Sequence, residues 1–214
     1  MKCVNIGCGR SPTEGWSNYE NSLSIHLAKM PILTFVLKCF GLLNEQQRRT
    51  ISFFKGSSIK YADARNHIPE PDHFVDILYS CHMLEHLDSD EAQAFLTEAK
   101  RVLKHGGYIR LAVPDLRLIV NDYLQSGDAD RFMNDMDLSR RVAQSLLSKI
   151  RYLFVGDRGH KYLYDGASLC KLLASAAFKD TKVMPEGETM IPEPGSMNLA
   201  ERSPSTVYIE AVNP

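Results

Sequence analysis

The chain lacks the features by which many small functional domains announce themselves. It has no CxxC pair and no HExxH, and its five cysteines, Cys3, Cys8, Cys39, Cys81 and Cys170, are an odd number scattered over 214 residues. Neither a zinc ribbon nor a disulfide framework is therefore expected, and reduced thiols point to a cytoplasmic location. The longest apolar stretch, Met30 to Leu43, falls short of the roughly 20 residues that span a bilayer, and Lys38 interrupts it, so no transmembrane segment is expected. Met1-Lys2-Cys3-Val4 runs straight into a strand pattern and leaves no room for a signal peptide. An excess of one charge is missing too: 25 Lys and Arg stand against 26 Asp and Glu, a formal net charge of -1. Nothing in that balance draws in nucleic acid, and no nucleic-acid partner is expected.

What is present is an alternation of short apolar runs with longer helical patterns. That alternation is the signature of parallel strands joined by crossover helices. Cys3 to Ile6, Trp16 to Glu20, Ile59 to Ala62, Val75 to Ser80 and Tyr108 to Val113 read as successive strands, with Thr181 to Met184 and Thr206 to Val212 as closing strands. Only about nine residues separate the first two strands, fewer than a crossover helix needs, so the first helix is expected to be reduced. Residues 21–58 and 116–160 read as helical insertions, Pro31 starting or breaking a helix in the first. Ser89 is placed to cap a helix whose buried face is Ala92, Phe95, Leu96, Ala99, Val102 and Leu103, and Lys104-His105-Gly106-Gly107 is expected to stop it. Ala167 to Ala177 reads as another amphipathic helix. The length suits a single domain, 1–214.

In open parallel sheets, ligands bind beyond the carboxyl ends of the strands, where strand order reverses. The first strand ends in Gly7-Cys8-Gly9, whose glycines allow positive φ and close approach of a ligand to the backbone. The second ends in Glu20, a carboxylate able to accept from two ribose hydroxyls, or an ordinary surface acid. Asp63-Ala64 follows the third, as an adenine reader or a turn residue. Ser80-Cys81-His82-Met83-Leu84-Glu85-His86-Leu87 is an unusually polar end to the fourth.

Together these positions resemble the class I methyltransferase superfamily, whose members use S-adenosylmethionine (SAM). The resemblance is carried by Asn5-Ile6-Gly7-Cys8-Gly9, Gly15-Trp16-Ser17-Asn18-Tyr19-Glu20, Tyr61-Ala62-Asp63-Ala64, the His82 to Leu87 block, Glu98 to Gly107, Val113-Pro114-Asp115 and Gly159-His160-Lys161-Tyr162-Leu163-Tyr164-Asp165. It implies an α/β, Rossmann-like fold with a mostly parallel seven-stranded sheet and an antiparallel closing strand, with the insertions on the cofactor side. It also implies that Asn5, Gly7, Cys8 and Gly9 lie under the amino acid part of SAM, that Glu20 holds the ribose, that Asp63 and Ala64 read adenine, and that Ser80, Cys81 and His82 line the site near the methyl group. Asn5 stands where the superfamily often has an acid, so the methionine ammonium is left to indirect contacts or backbone carbonyls. This branch is often associated with bacterial polysaccharide biosynthesis, which implies a small-molecule or saccharide acceptor.

Methyl transfer demands alignment and exclusion of water, and a general base only when the acceptor must lose a proton. His82, His160 and Asp115 are the candidate bases; His86 reads as structural, and Asp115 also suits the cap of the next helix. No metal is expected, because the sequence names no third companion for His82 and His86 around Glu85. The apolar segment 30–43 reads as a packed lid, a homodimer contact or an acceptor pocket. Arg48-Arg49 and Arg140-Arg141 read as solvated faces. Two other functions compete: a non-catalytic SAM-binding partner protein, and an NAD(P) oxidoreductase. The latter lacks GxGxxG, since Pro12 takes the place of the third glycine.

Overall fold

A computed structural model describes residues 1–136 and 159–214. Seven strands form one sheet: β1 (Cys3–Ile6), β2 (Ser17–Glu20), β3 (Lys60–Tyr61), β4 (Val75–Cys81), β5 (Leu103–Pro114), β6 (Lys179–Met184) and β7 (Thr206–Val212). Their order is β3-β2-β1-β4-β5-β7-β6, parallel from β3 through β5, with β7 antiparallel to both of its neighbours. The order reverses between β1 and β4, which places the ligand crevice beyond Ile6 and Cys81.

Strand alternation sends Val4, Ile6, Leu78, Ile109 and Leu111 to one face of the sheet, and Cys3, Ile77, Tyr79 and Ala112 to the other. The first face is covered by α4 (Ser89–Val102) and α7 (Gly166–Ser175), through Phe95, Leu96, Ala99, Leu169 and Leu173. The expected buried face of α4 is present, but its cap is Asp88 rather than Ser89. Asp88 accepts from the Glu91 amide, and the Glu91 side chain accepts from the Asp88 amide in return. The stop differs as well. α4 ends at Val102, Leu103 is already extended, and Lys104–Gly107 forms an irregular opening of β5, where the pairing with β4 shifts register between Val75 and Ile77. The backbone at Leu103 finds a strand partner there, so the helix ends without a glycine cap, and the expected left-handed glycine, Gly106 with φ +78°, bends the opening of β5 instead.

On the second face the expected reduction of the first helix is complete: no helix or strand lies between β1 and β2. An irregular segment, residues 185–205, covers this face instead, bringing Ile191 and Met197 onto Tyr79 and Tyr208, with Trp16 packed against them. Irregular backbone carries unpaired polar groups, and here a buried ion pair satisfies several of them. Arg110 and Glu210, both fully buried, form a salt bridge between neighbouring strands. Arg110 also donates to the carbonyls of Glu188 (3.0 Å) and Leu199 (2.8 Å), while Glu210 accepts from the Thr189 hydroxyl (2.6 Å) and the Met190 amide (2.7 Å).

The first insertion is helical, as expected: α1 (Leu23–Ala28), α2 (Pro31–Cys39) and α3 (Glu45–Lys55). Pro31 opens α2, where its missing N–H is not needed. α1 and α3 form a small core of Ile25, Ala28, Ile51 and Phe54 together with Cys8. α2 buries none of its residues fully, and Ile32 and Phe35 are largely exposed, while Leu37 packs against that small core. The second insertion begins with α5 (Leu116–Ser126) and α6 (Ala129–Asp135). Residues 137–158 of it, with Arg140 and Arg141, lie outside the described residues.

Candidate active site

The glycine turn sits at the reversal point. Gly7 has φ +70°, and a Cβ there would lie 2.5 Å from Met83 Cγ and 2.7 Å from Met83 Cβ. The turn thus lies directly against the segment that follows β4. Gly9, with φ +54°, faces open space: nothing stands within 4 Å of where its Cβ would be. The amides of the turn are already engaged. Those of Gly7 and Cys8 donate to the Tyr19 carbonyl at 2.8 and 3.2 Å, and that of Gly9 donates to Glu20 Oε2 at 2.9 Å. What remains for a ligand is carbonyl oxygen and space rather than N–H donors, and carbonyls suit an ammonium group. Cys8 turns its thiol into the insertion's core, where burial, followed by the nearby Glu20 charge, pushes its pKa up to about 12.

Beneath the turn, Asn5 is buried and donates through Nδ2 to the Thr13 hydroxyl at 2.9 Å. Its Oδ1 is buried without a hydrogen-bond partner, as is Ser80 Oγ on the neighbouring strand. Two orphaned acceptors at the ends of β1 and β4 are costly unless a polar ligand meets them. At the outer strands, Glu20 offers its carboxylate beside the turn. Asp63 is differently placed from the simple adenine reader expected. Arg65 grips both its oxygens, Nε to Oδ1 at 2.8 Å and Nη2 to Oδ2 at 2.7 Å, and these hydrogen bonds hold the carboxyl below the usual range. Ala64 is buried. Any adenine contact from Asp63 shares the carboxylate with Arg65.

Beyond β4 the structure gathers side chains that are spread along the sequence. His82 has φ +51°. Its Nε2 meets Thr206 Oγ1 at 2.9 Å, and its Nδ1 lies 3.7 Å from Glu85 Oε1. A short 3-10 turn, Leu84–His86, carries Glu85 inward, and its carbonyl accepts from the amides of Lys161 (2.8 Å) and Tyr162 (3.1 Å). That docking brings His160 Nε2 to 4.0 Å from Glu85 Oε1, and the His86 and His160 rings to a 5.2 Å separation. Burial, with a smaller effect of Arg202 and the neighbouring histidines, lowers the His82 pKa to about 4, so His82 is neutral near pH 7. Burial raises the Glu85 carboxyl to about 7. The structure therefore unites two of the three base candidates, His82 and His160, around Glu85. Asp115 takes its other expected part, capping α5 by accepting from the Arg117 amide at 2.9 Å. Cys81, pushed up to about 12 chiefly by burial, packs on the other sheet face.

Glu85 is the residue that the sequence reading passed over. The available signal was its position at i+3 from His82 and directly before His86, within the polar block Ser80 to Leu87. The sequence could not show that His160, 75 residues on, completes the group.

Residues 39–111 match the family model described as a methyltransferase domain. Among solved structures, the chain resembles a SAM-dependent methyltransferase of Thermotoga maritima (17% identity, 100% of this chain and 82% of that one, TM-score 0.52). It also resembles one from Archaeoglobus fulgidus (18%, 99% and 86%, 0.51) and one from Methanosarcina mazei (15%, 99% and 91%, 0.50). Comparison with curated proteins found no match. At these identities the structural likeness shows the fold, the Rossmann-like sheet of class I methyltransferases. The family match is confined to residues 39–111, and the structural likeness carries the fold.

Proposed function

We propose that this domain transfers the methyl group of SAM to a hydroxyl of a small-molecule or saccharide acceptor, at the crevice between β1 and β4. The observation that carries this reading is the open space over Gly9 at the reversal point, with the partnerless Ser80 hydroxyl close to Gly7 on one sheet face and the partnerless Asn5 Oδ1 on the other. These fit a polar, cationic amino acid moiety. The residues that would hold SAM are Asn5 and Gly7 to Gly9 at the methionine part, Glu20 at the ribose, Asp63 and Ala64 at the adenine, and Ser80 and His82 beside the sulfonium, with Cys81 contributing through its backbone alone. Cys8 contributes through its backbone. SAM supplies an electrophilic methyl group, and the chain's own task is to position an acceptor, exclude water and accept its proton.

The hydroxyl assignment rests on the group beyond β4. An acceptor hydroxyl keeps its proton near neutral pH, and His82 is a neutral imidazole at the strand end, with His160 across Glu85. The insertions 21–58 and 116–160, which follow β2 and β5, are where acceptor choice is expected to reside. The exposed apolar face of α2 supports a homodimer contact within segment 30–43. The free state of the cysteines, with Cys39 exposed, suits a reducing, cytoplasmic setting, and among the described residues no helix is long and apolar enough to cross a membrane.

Calorimetric titration with SAM, S-adenosylhomocysteine and NAD tests the cofactor part. Saturable binding of the first two and none of NAD is expected. Preference for NAD refutes the reading; binding of SAM without turnover across a panel of sugars and small alcohols favours a non-catalytic partner protein.

A further inference from the structure

We propose that Glu85, His86 and His160 form a binding site for a divalent first-row transition-metal ion, with His82 at its edge. One potential ligand atom from each of the three lies within 4.8 Å of the other two, although they come from a turn after β4 and from a loop far along the chain. Metal–ligand bonds of about 2.0–2.2 Å place donors about 3.3–3.6 Å apart at the tetrahedral angle and about 4 Å apart across an octahedral ion. The 4.0 Å between Glu85 Oε1 and His160 Nε2 matches that width and is too long for a hydrogen bond.

The protons around the cluster argue in the same direction. The Thr206 hydroxyl has one proton, and it is donated to the Arg202 carbonyl at 2.9 Å. Toward His82 Nε2, 2.9 Å away, Thr206 Oγ1 can only accept, so that nitrogen carries the imidazole proton. Nδ1 then turns a bare lone pair toward Glu85 Oε1 at 3.7 Å. His86 Nδ1 faces the Gly159 carbonyl at 3.3 Å and must donate to it. Its Nε2 is left as the lone-pair nitrogen, the arrangement in which an outer carbonyl fixes a metal-binding imidazole. Glu85 itself is 1% exposed, and neither of its oxygens has a hydrogen-bond partner. A buried carboxylate whose oxygens find no side-chain donor, faced by the His82 Nδ1 lone pair and with a ring nitrogen of His86 and of His160 close by, is a site where a cation can satisfy several ligand atoms at once.

Imidazole nitrogen with a single carboxylate suits Mn2+, Fe2+, Co2+ or Zn2+ better than Mg2+ or Ca2+, which prefer all-oxygen shells. Three protein ligands leave positions open for oxygen donors. In the methyl-transfer reading, on which this role alone depends, such a position takes the acceptor hydroxyl and makes it easier to deprotonate. The binding of the ion stands on the side-chain geometry by itself.

The test uses the full chain, stripped with EDTA and dialysed, titrated with MnCl2 while free Mn2+ is followed by electron paramagnetic resonance. One saturable site per chain is expected, with Zn2+ displacing the Mn2+. His86→Ala and His160→Ala should each weaken binding at least about 100-fold, beyond what loss of an outer-shell partner does. Glu85→Gln, which keeps the shape and removes the charge, should do the same, and His105→Ala, at the far end of β5, should bind as wild type. Circular dichroism on each variant separates lost binding from lost folding. Absence of a saturable site in the wild-type chain, or wild-type affinity in folded His86→Ala and His160→Ala, overturns the proposal. Because Mn2+ binding is read without SAM, and SAM binding by calorimetry on the same samples, failure of one leaves the other reading intact.

Discussion

The two glycines of the turn after β1 are alike in sequence and opposite in surroundings, which makes them a controlled pair. Gly7→Ala places a methyl 2.5–2.7 Å from Met83 Cγ and Cβ. Met83 Cγ can swing about χ1, but Cβ sits at the root of the side chain and moves only with its backbone. Forcing an L residue into the left-handed region costs about 1–2 kcal/mol, and overpacking adds about 1–3 kcal/mol. The sum, about 2–5 kcal/mol, corresponds to a melting point lowered by about 5–15 °C for a chain of this size. Gly9→Ala carries the same left-handed penalty of about 1–2 kcal/mol but meets nothing within 4 Å. Its methyl instead enters the space assigned to SAM, and the expected loss is at least about tenfold in affinity, or about 1.4 kcal/mol. Thermal unfolding with and without SAM, alongside calorimetry, reads both quantities. Gly7→Ala should be the less stable variant and Gly9→Ala the more stable but weaker binder. Wild-type SAM affinity in Gly9→Ala, with its fold intact, would refute the placement of the cofactor over this turn.

The buried pair Arg110 and Glu210 should prove essential to the irregular cover of the second sheet face: Arg110→Met leaves a buried carboxylate unpaired and should cost about 3–5 kcal/mol in urea unfolding. The double variant Arg110→Met with Glu210→Leu should recover most of that loss; a single-variant effect below about 1 kcal/mol would mean that other contacts hold residues 185–205 in place. On α2, Ile32→Asp combined with Phe35→Asp should convert a dimer to a monomer in sedimentation velocity while SAM affinity is unchanged. A wild-type chain that sediments as a monomer at micromolar concentration removes the dimer reading of this helix.

The sequence alone determined whatever depends on local pattern. The strand alternation, the glycine turn, the polar strand ends and the buried stripe of α4 are each carried by residues close together in the chain, where period and side-chain type reflect burial directly. The missing first helix was legible for the same reason, since about nine residues cannot form a crossover. Exact caps and stops were less so. Asp88 outcompeted Ser89 because Glu91 could close a reciprocal pair with it, and Lys104–Gly107 joined the sheet because β4 lay alongside. Only tertiary structure decided the rest. It showed that Arg65 grips Asp63, that Cys8 faces the insertion's core, and that the turn's amides are engaged by Tyr19 and Glu20. It also showed that His160 meets Glu85 and His86 across an intervening stretch of chain. These are choices among partners distant in sequence, made by packing and by the need to satisfy buried polar groups, and no local pattern encodes which partner wins.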